Sequence, residues 1–302
     1  ADFSSSYAYF IDNASSVTMP NNITLKTNTG ATVRTLENNA ALAADVKSLY
    51  LPKKEFFSFS TSENVKLNGW IVKPADFDAN KKYPILLVQY SGPNSQEVLD
   101  RWKMDWEYFL VTQGYIVACV DGRGTGARGA EFRKCTYQHI GVLESQDQIE
   151  TAKYFAKQSF IDQDRIGIWG WSYGGFMTLM SMSSGEKVFK AGISVAPVTD
   201  YRFYDSAYTE RYMRRPQENF KGYEESSAIN RADKLQGKLL IVHGSADDNV
   251  HAQNTMMYID KLVAADKQFE MQIYTDKNHS ILGKQTRRHL YTRMFDFLQK
   301  NL

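Results

Sequence analysis

The feature that most constrains the fold is a series of six short apolar runs, each bounded by polar, glycine or proline residues. They span residues 84–90, 115–120, 165–170, 191–195, 238–242 and 269–274. Strands that are apolar on both faces belong to buried, largely parallel sheets. Between the runs, Ile149, Ala152 and Phe155 share one helix face, and Ile259 and Leu262 share another. This alternation predicts an α/β fold, a mostly parallel sheet with helices on both faces.

Two stretches depart from the alternation. Residues 199–230 form a polar, aromatic insertion between the fourth and fifth runs. Residues 1–80 instead hold short alternating or aromatic runs separated by turn-forming residues, which predicts antiparallel strands. Within them, the alanine-rich stretch 38–51 predicts a short helix. A sheet of this size buries little surface alone, so we expect it to need a neighbour.

Composition narrows the class of protein. The 36 basic and 34 acidic side chains give a net charge of +2, and the basic ones are scattered, which argues against a nucleic-acid partner. The only two cysteines, Cys119 and Cys135, exclude a disulfide scaffold and argue against a cysteine metal site, although one bridge between them stays open. No apolar stretch approaches the roughly 18 residues of a membrane span, and no signal peptide is visible. Because the chain begins at Ala1 without Met, we expect a processed product or part of a longer chain.

The strongest chemical signal is Gly170-Trp171-Ser172-Tyr173-Gly174, which fits the G-x-S-x-G pattern of a nucleophile elbow. Such a pattern also occurs by chance, as an ordinary serine between a strand and a helix. Here it follows the apolar run 165–170 and precedes a predicted helix over 173–183. A nucleophile elbow is a tight, strained turn between a strand and a helix, and the motif lies between a predicted strand and a predicted helix. We therefore identify Ser172 as the candidate nucleophile.

A serine nucleophile needs a base, and in α/β-hydrolases the chain order is Ser, then Asp or Glu, then His. The five histidines are His139, His243, His251, His279 and His289. His139 precedes the serine in the chain, and His243 lies at the end of a strand, ahead of the acid candidates. His251 opens a predicted helix, and His289 lies inside one. His279 follows the last predicted strand in a polar loop. It alone satisfies both position and order.

The acid should follow the penultimate strand, where the chain reads His243-Gly244-Ser245-Ala246-Asp247-Asp248-Asn249. Physical reasoning does not separate Asp247 from Asp248, since one of them could cap the next helix. Glu270 and Asp276 are weaker candidates.

The oxyanion of the tetrahedral intermediate needs hydrogen-bond donors. One is expected to be the backbone N–H of Tyr173, directly after the nucleophile. The loop after the first strand, Tyr90-Ser91-Gly92-Pro93, lacks an HGGG-type run but offers the phenol of Tyr90 as the second donor. The alternative is an aromatic side chain that only packs at a strand end. The glycine-rich loop Asp121-Gly122-Arg123-Gly124-Thr125-Gly126 lacks the lysine and spacing of a phosphate-binding loop, so we interpret it as a loop near the active site.

These residues carry a resemblance to the prolyl oligopeptidase family of serine peptidases, in its dipeptidyl peptidase IV subgroup. The matching blocks are 90–93, with Ser91 where alanine is usual, and 121–124, 167–175, 204–213 and 243–251. The chain resembles the catalytic part of that subgroup closely over residues 50–302 and more weakly over 1–50.

The resemblance implies roles for individual residues. It implies that Asp247 is the catalytic acid, and it supports Ser172, His279 and Tyr90 in the roles argued above. Tyr201, Tyr204 and Tyr208 recur at helical spacing, typical of a core stripe, but resemble the walls of a proline-accepting S1 pocket. The other residues with implied substrate-binding roles are Trp171, Val198, Arg211, Asn249 and Val250. No cofactor or metal ion is implied.

The expected fold is an α/β-hydrolase domain over residues 51–302, preceded in residues 1–50 by the last strands of a β-propeller. The resemblance implies a serine exopeptidase that releases N-terminal dipeptides with Pro, or less readily Ala, in second position. An oligopeptidase or acylaminoacyl peptidase of the same family is the alternative enzyme, and a catalytically dead binding protein the alternative class. The family's glutamate pair for the substrate amine is expected upstream of residue 1, with Glu224-Glu225 as surface charge. The family also implies a homodimer and a periplasmic or secreted location.

Overall fold

The first 50 residues form a small antiparallel sheet and one helix. In this computed structural model, which describes residues 1–302, the sheet has the strand order β1-β2-β3-β4. The elements are β1 (Asp2–Phe3), β2 (Tyr9–Ser16), β3 (Met19–Thr27), β4 (Thr32–Glu37) and helix α1 (Ala40–Ser48). The antiparallel sheet and the helix confirm the prediction for this region. Strand β4 was not predicted, because its threonine- and charge-rich sequence lacks an apolar run.

Very little of this small sheet is buried. Only two of residues 1–50 are buried, and α1 buries none of its residues. Hydrogen bonds fasten the sheet to the rest of the chain: the Val17 N–H donates to Asp100 Oδ1 at 2.8 Å, and the Trp102 N–H donates to Ser15 Oγ at 3.2 Å. The small sheet therefore rests against its neighbour without a core of its own.

The remainder of the chain is built on one eight-stranded sheet. Its strands are β5 (Glu55–Ser60), β6 (Lys66–Val72), β7 (Tyr83–Val88), β8 (Ile116–Asp121), β9 (Ile161–Trp171), β10 (Ala191–Val195), β11 (Lys238–Gly244) and β12 (Glu270–Tyr274). Their order in the sheet is β12-β11-β10-β9-β7-β8-β6-β5. The six strands from β7 to β12 pair in parallel and correspond to the six apolar runs of the sequence. Strands β5 and β6 add an antiparallel edge, so the structure is a mixed, mostly parallel sheet.

Helices cover both faces of this sheet. They are α2 (Trp106–Thr112), α3 (Ala130–Lys134), α4 (Val142–Ala156), α5 (Tyr173–Met182), α6 (Ser206–Met213), α7 (Phe220–Glu225), α8 (Gln253–Ala264) and α9 (Lys284–Asn301). Two apolar clusters, of 31 and 24 buried residues, lie on opposite sides of the strands. Alternate residues of β7 enter them: Ile85 and Leu87 pack with α4, α5 and α8, whereas Leu86 and Val88 pack with α2 and α9. This double-sided burial is what the predicted α/β-hydrolase fold requires.

The topology places the candidate site at one edge of the sheet. Strands β7, β9, β11 and β12 run parallel, so the loops that follow them emerge at the same carboxyl edge. The predicted insertion lies between β10 and β11 and folds into α6, α7 and two short 3₁₀ segments, at Tyr201–Phe203 and Ile229–Lys234. Both cysteines are free, with Cys119 buried and Cys135 exposed. None of the helices has the length and apolar character needed to span a bilayer.

Candidate active site

Ser172 sits on a strained turn between β9 and α5. Its backbone has φ 60° and ψ −118°, outside the regions that a residue with a side chain ordinarily occupies. The flanking glycines make this turn sterically feasible. A Cβ atom at Gly170 would lie 2.4 Å from the carbonyl carbon of Gly174, and one at Gly174 would lie 2.5 Å from the backbone oxygen of Gln89. The G-x-S-x-G pattern therefore forms the elbow that its sequence context predicted.

Backbone hydrogen bonds hold the elbow in the sheet. The Ser172 N–H donates to the Val195 carbonyl at 2.8 Å, and the Phe176 N–H donates to the Ser172 carbonyl at 3.0 Å. Every residue of α5 is buried, so this helix is fixed on all sides. The hydroxyl of Ser172 is consequently presented by a rigid scaffold rather than by a mobile loop.

His279 and Asp247 meet at the same edge of the sheet. The imidazole Nδ1 of His279 lies 2.7 Å from Asp247 Oδ2, and the histidine side chain is 18% exposed, while that of Asp247 is fully buried. Because the ionised carboxylate can only accept, Nδ1 carries the proton, and Nε2 is left free of protein hydrogen-bond partners. The adjacent Asp248 is exposed. The structure thereby distinguishes the two aspartates that reasoning from the residues alone left open.

Asp247 is held by donors on both carboxylate oxygens. Its Oδ1 accepts from the backbone N–H groups of Asn249, at 3.0 Å, and Val250, at 2.9 Å. Burial disfavours its charge, but contacts with His243 and His279 and these backbone donors outweigh burial and hold the pKa of the carboxyl below its ordinary value. Asp247 is therefore an anion fixed in position to orient the imidazole.

Trp171 links the elbow to the histidine loop. Its indole Nε1–H donates to the backbone carbonyl of His279 at 3.0 Å, across 108 positions of the chain. The guanidinium of Arg287, on α9, lies 4.9 Å from the centre of the Trp171 ring and covers it. Because Trp171 directly precedes Ser172, this bond fixes the histidine loop beside the nucleophile.

Tyr90 and Tyr173 are the two residues predicted to supply the oxyanion donors, and they lie side by side next to the elbow. Tyr173 is the first residue of α5, so its backbone N–H has no partner within the helix. Tyr90 follows β7, and its ring centre lies 6.0 Å from that of Tyr173. Burial raises the pKa of the Tyr90 phenol, with a further contribution from Glu97, so the hydroxyl keeps its proton and can donate. Gly92 leaves room for the ring, since a Cβ there would lie 2.5 Å from it.

A buried carboxyl, that of Glu144, lies beneath Tyr173, and no motif or spacing in the sequence indicated it. The Tyr173 hydroxyl donates to Glu144 Oε1 at 2.8 Å, and the Gly141 N–H donates to Glu144 Oε2 at 2.8 Å. Burial raises the pKa of Glu144 to about 8 despite these donors. Glu144 thus joins the start of α4 to the start of α5, behind the elbow.

An aromatic cluster borders the site on the side of the insertion. The ring of Tyr201 packs edge-on against Tyr204, at 6.3 Å, and Tyr204 packs edge-on against Tyr208, at 5.3 Å. Val198 and Val250 are buried beside them in the same apolar cluster. The Tyr201 hydroxyl is buried and has no hydrogen-bond partner. The three tyrosines, whose spacing alone favoured a helical stripe, come from a 3₁₀ turn, the loop after it and α6.

The remaining predicted residues also lie at this edge. The Tyr204 hydroxyl donates to Asn249 Oδ1 at 2.7 Å, so the insertion is joined to the loop that carries Asp247. Arg211, on α6, is exposed and lines a hollow of about 490 Å³ with Tyr212, Pro93 and Asn94.

The glycine-rich loop 121–126 has a structural role. Asp121 Oδ2 accepts from the Val98 N–H at 2.8 Å, and the Arg123 guanidinium binds Asp147, at 2.8 Å, and Glu63, at 2.8 Å. These bonds tie the loop to the site's periphery without any phosphate-binding geometry.

The sheet order, the strained serine and the acid–histidine pair at the carboxyl edge are those of an α/β-hydrolase with a serine nucleophile. Residues 102–302 match the prolyl oligopeptidase family, and the chain belongs to that family.

Three relatives illustrate the similarity. The structure of Porphyromonas gingivalis dipeptidyl peptidase 4 is 57% identical and superposes with a TM-score of 0.98, over 99% of this chain and 43% of that one. Dipeptidyl peptidase 4 of Felis catus is 40% identical over 89% of this chain and 35% of its own length. A probable dipeptidyl-aminopeptidase B of Coccidioides posadasii is 43% identical over 87% of this chain and 29% of its own length. The chain thus spans less than half the length of these relatives.

Proposed function

We propose that this chain is the catalytic part of a serine exopeptidase that releases N-terminal dipeptides with Pro, or less readily Ala, in second position. The observation that carries the proposal is the convergence of three features at one sheet edge: the Ser172 elbow, the Asp247–His279 pair and the tyrosine cluster. Similarity to proteins named dipeptidyl peptidase 4 supports the exopeptidase assignment.

In the proposed reaction, Ser172 Oγ attacks the scissile carbonyl while His279 Nε2 accepts its proton. His279 then protonates the leaving amine, giving an acyl-enzyme that water hydrolyses by the same route. Asp247 keeps the imidazole in the required tautomer and stabilises its cation. The Tyr173 N–H and the Tyr90 hydroxyl stabilise the oxyanion. Arg211 and Asn249 bind the substrate backbone.

Specificity for proline is assigned to a small apolar S1 pocket. Its walls are Trp171, Val198, Tyr201, Tyr204, Tyr208 and Val250. The edge-on tyrosines are rigid, and a compact pyrrolidine ring, pre-bent at φ near −65°, fits such a box better than a larger side chain does.

The substrate amine is assigned to a glutamate pair outside this chain. Glu224 pairs with Arg202, and Glu225 lies 3.1 Å from His139 and 3.5 Å from Lys221, so both carboxylates already have partners at the surface. We assign residues 1–50 to the last strands of a β-propeller and residues 51–302 to the hydrolase domain. A homodimer and an extracytoplasmic location, periplasmic or secreted, complete the proposal.

Hydrolysis of matched chromogenic peptides by the native protein tests this function. We expect release of p-nitroaniline from Gly-Pro-p-nitroanilide, slower release from Gly-Ala-p-nitroanilide, and none from the N-acetylated forms. The Glu224→Gln/Glu225→Gln variant should behave like the wild type. Cleavage of the acetylated substrates would support the acylaminoacyl peptidase or oligopeptidase alternative. A folded wild type inactive on every substrate would support the dead binding protein.

A further inference from the structure

His243 is a fully buried histidine that the proposed reaction does not use. It is the second-to-last residue of β11, and its imidazole is 0% exposed. Its Nε2 lies 2.7 Å from the carbonyl oxygen of Val250 and 3.2 Å from Asp247 Oδ2. Its Nδ1 lies 2.7 Å from Thr255 Oγ1, on α8. Both ring nitrogens therefore have partners, and one partner is the catalytic acid.

The chemistry of these partners assigns the protons. A backbone carbonyl and a carboxylate can only accept, so Nε2 carries hydrogen and faces both Val250 O and Asp247 Oδ2. In the neutral ring, Nδ1 then accepts from the Thr255 hydroxyl. The Val250 carbonyl and the Asp247 carboxylate thereby select the tautomer whose N–H edge faces the acid, and the Thr255 hydroxyl, which can donate or accept, satisfies Nδ1.

These contacts join the two ends of the loop that carries Asp247, which we call the acid loop. Residues 245–249 form the loop between the end of β11 and Val250, and all of them except Asp247 are exposed. The His243 N–H binds the Val250 carbonyl, and the Val250 N–H binds Asp247 Oδ1 at 2.9 Å. The Asp247 carboxylate is therefore contacted on both oxygens: the His243 imidazole faces Oδ2, and the Val250 N–H donates to Oδ1.

We propose that His243 is a positioning residue for the catalytic acid: its Nε2–H clamps the loop at Val250 and fixes Asp247 in the orientation that binds His279. The inference rests on the proposed serine peptidase mechanism. Because Asp247 acts only through the imidazole of His279, misplacement of the carboxylate affects the transition state more than substrate binding.

Four variants of the native protein test this role. His243→Leu removes the donor and should lower kcat roughly 10- to 100-fold, the size of one hydrogen bond to a charged group. KM should rise by a smaller factor, because Asn249 and Val250 of the same loop are assigned to substrate binding. His243→Gln can place an amide N–H near the Nε2 position and should retain activity within about fivefold. Thr255→Val, which leaves the buried Nδ1 of His243 without a hydrogen-bond donor, should fall between these two. His289→Gln is the control, because the His289 imidazole bonds the Tyr274 hydroxyl at 2.8 Å and makes no hydrogen bond to Asp247 or Val250, and its kcat should equal that of the wild type.

Thermal unfolding of each variant separates misfolding from mispositioning. If His243→Leu does not fold, His243→Asn replaces it, since its shorter amide does not reach Asp247. A folded donor-free variant with wild-type kcat would overturn the proposal, as would equal losses in His243→Gln and the donor-free variant. A wild type without peptidase activity would instead refute the proposed function itself.

Discussion

The small sheet of residues 1–50 and the eight-stranded sheet differ chiefly in how their faces are covered. Strands β8 and β10 are buried along their entire length, whereas every residue of β4 is exposed. Nearly half of the large hydrophobic side chains that are exposed in the structure lie in the first 50 residues, including Tyr7, Tyr9 and Leu49. The contrast teaches that strand pairing alone does not make a core. Fixed geometry for catalysis arises where both sheet faces are covered and parallel strands end together.

The first prediction concerns the nucleophile, which lies on the eight-stranded sheet whose two faces are covered by helices. Ser172→Ala should lower peptidase kcat by about 10⁶-fold, because the other members of the triad act only through the serine hydroxyl. If a contamination-free preparation of the variant retained more than a few per cent of wild-type activity, another group would have to be the nucleophile, and the assignment of Ser172 would be wrong.

The second prediction tests the oxyanion donor at the end of β7. Tyr90→Phe should lower kcat by roughly 10²–10³-fold and leave KM little changed, because the phenol donates only to the developing oxyanion. Steady-state kinetics on Gly-Pro-p-nitroanilide measure both constants. A raised KM with normal kcat would reassign Tyr90 to substrate packing.

The third prediction compares the two sheets directly. Ile193, on β10, is 0% exposed, and Val33, on β4, is 50% exposed. Ile193→Ala should lower the free energy of unfolding by about 2–5 kcal/mol, through lost burial and a residual cavity. Val33→Ala should change it by no more than about 0.5 kcal/mol. Denaturant unfolding of residues 1–302 alone provides both values. A larger loss for Val33→Ala in the full-length protein would support the assignment of residues 1–50 to a β-propeller.

The fourth prediction concerns the buried Glu144. Burial raises its pKa to about 8, against roughly 4.3 in an unfolded chain. Its contribution to stability is therefore fully present below about pH 4 and is lost as the pH rises to about 8, because unfolding then releases a proton. Glu144→Gln should flatten the decline of Tm across this interval. Parallel Tm–pH curves for wild type and variant would show that Glu144 is already ionised in the fold.

The sequence predicted the parts of the fold that depend on periodicity. The six apolar runs became the parallel strands, and α5 begins directly after Ser172, because a strand buried on both faces leaves a continuous apolar signature. Strand β4 was missed, since its residues are exposed on both faces and no burial pattern marks them.

Within the site, the motif and its strand-to-helix context indicated Ser172 and chain order indicated His279, but neither separated the two adjacent aspartates. Two adjacent aspartates carry the same local pattern, and only the turn at Asn249 and Val250 decides which of them is buried. The roles of Glu144 and His243 depend on contacts between elements far apart in sequence. No local spacing encodes such contacts.

The most direct test of the central claim is covalent labelling of the native protein with a fluorophosphonate, followed by peptide mapping. The account predicts one phosphonate per chain on the peptide that contains Ser172, no labelling of Ser172→Ala, and much slower labelling of His279→Ala. Labelling at any other residue, or a folded wild type that does not react, would contradict the claim that Ser172 is an activated nucleophile.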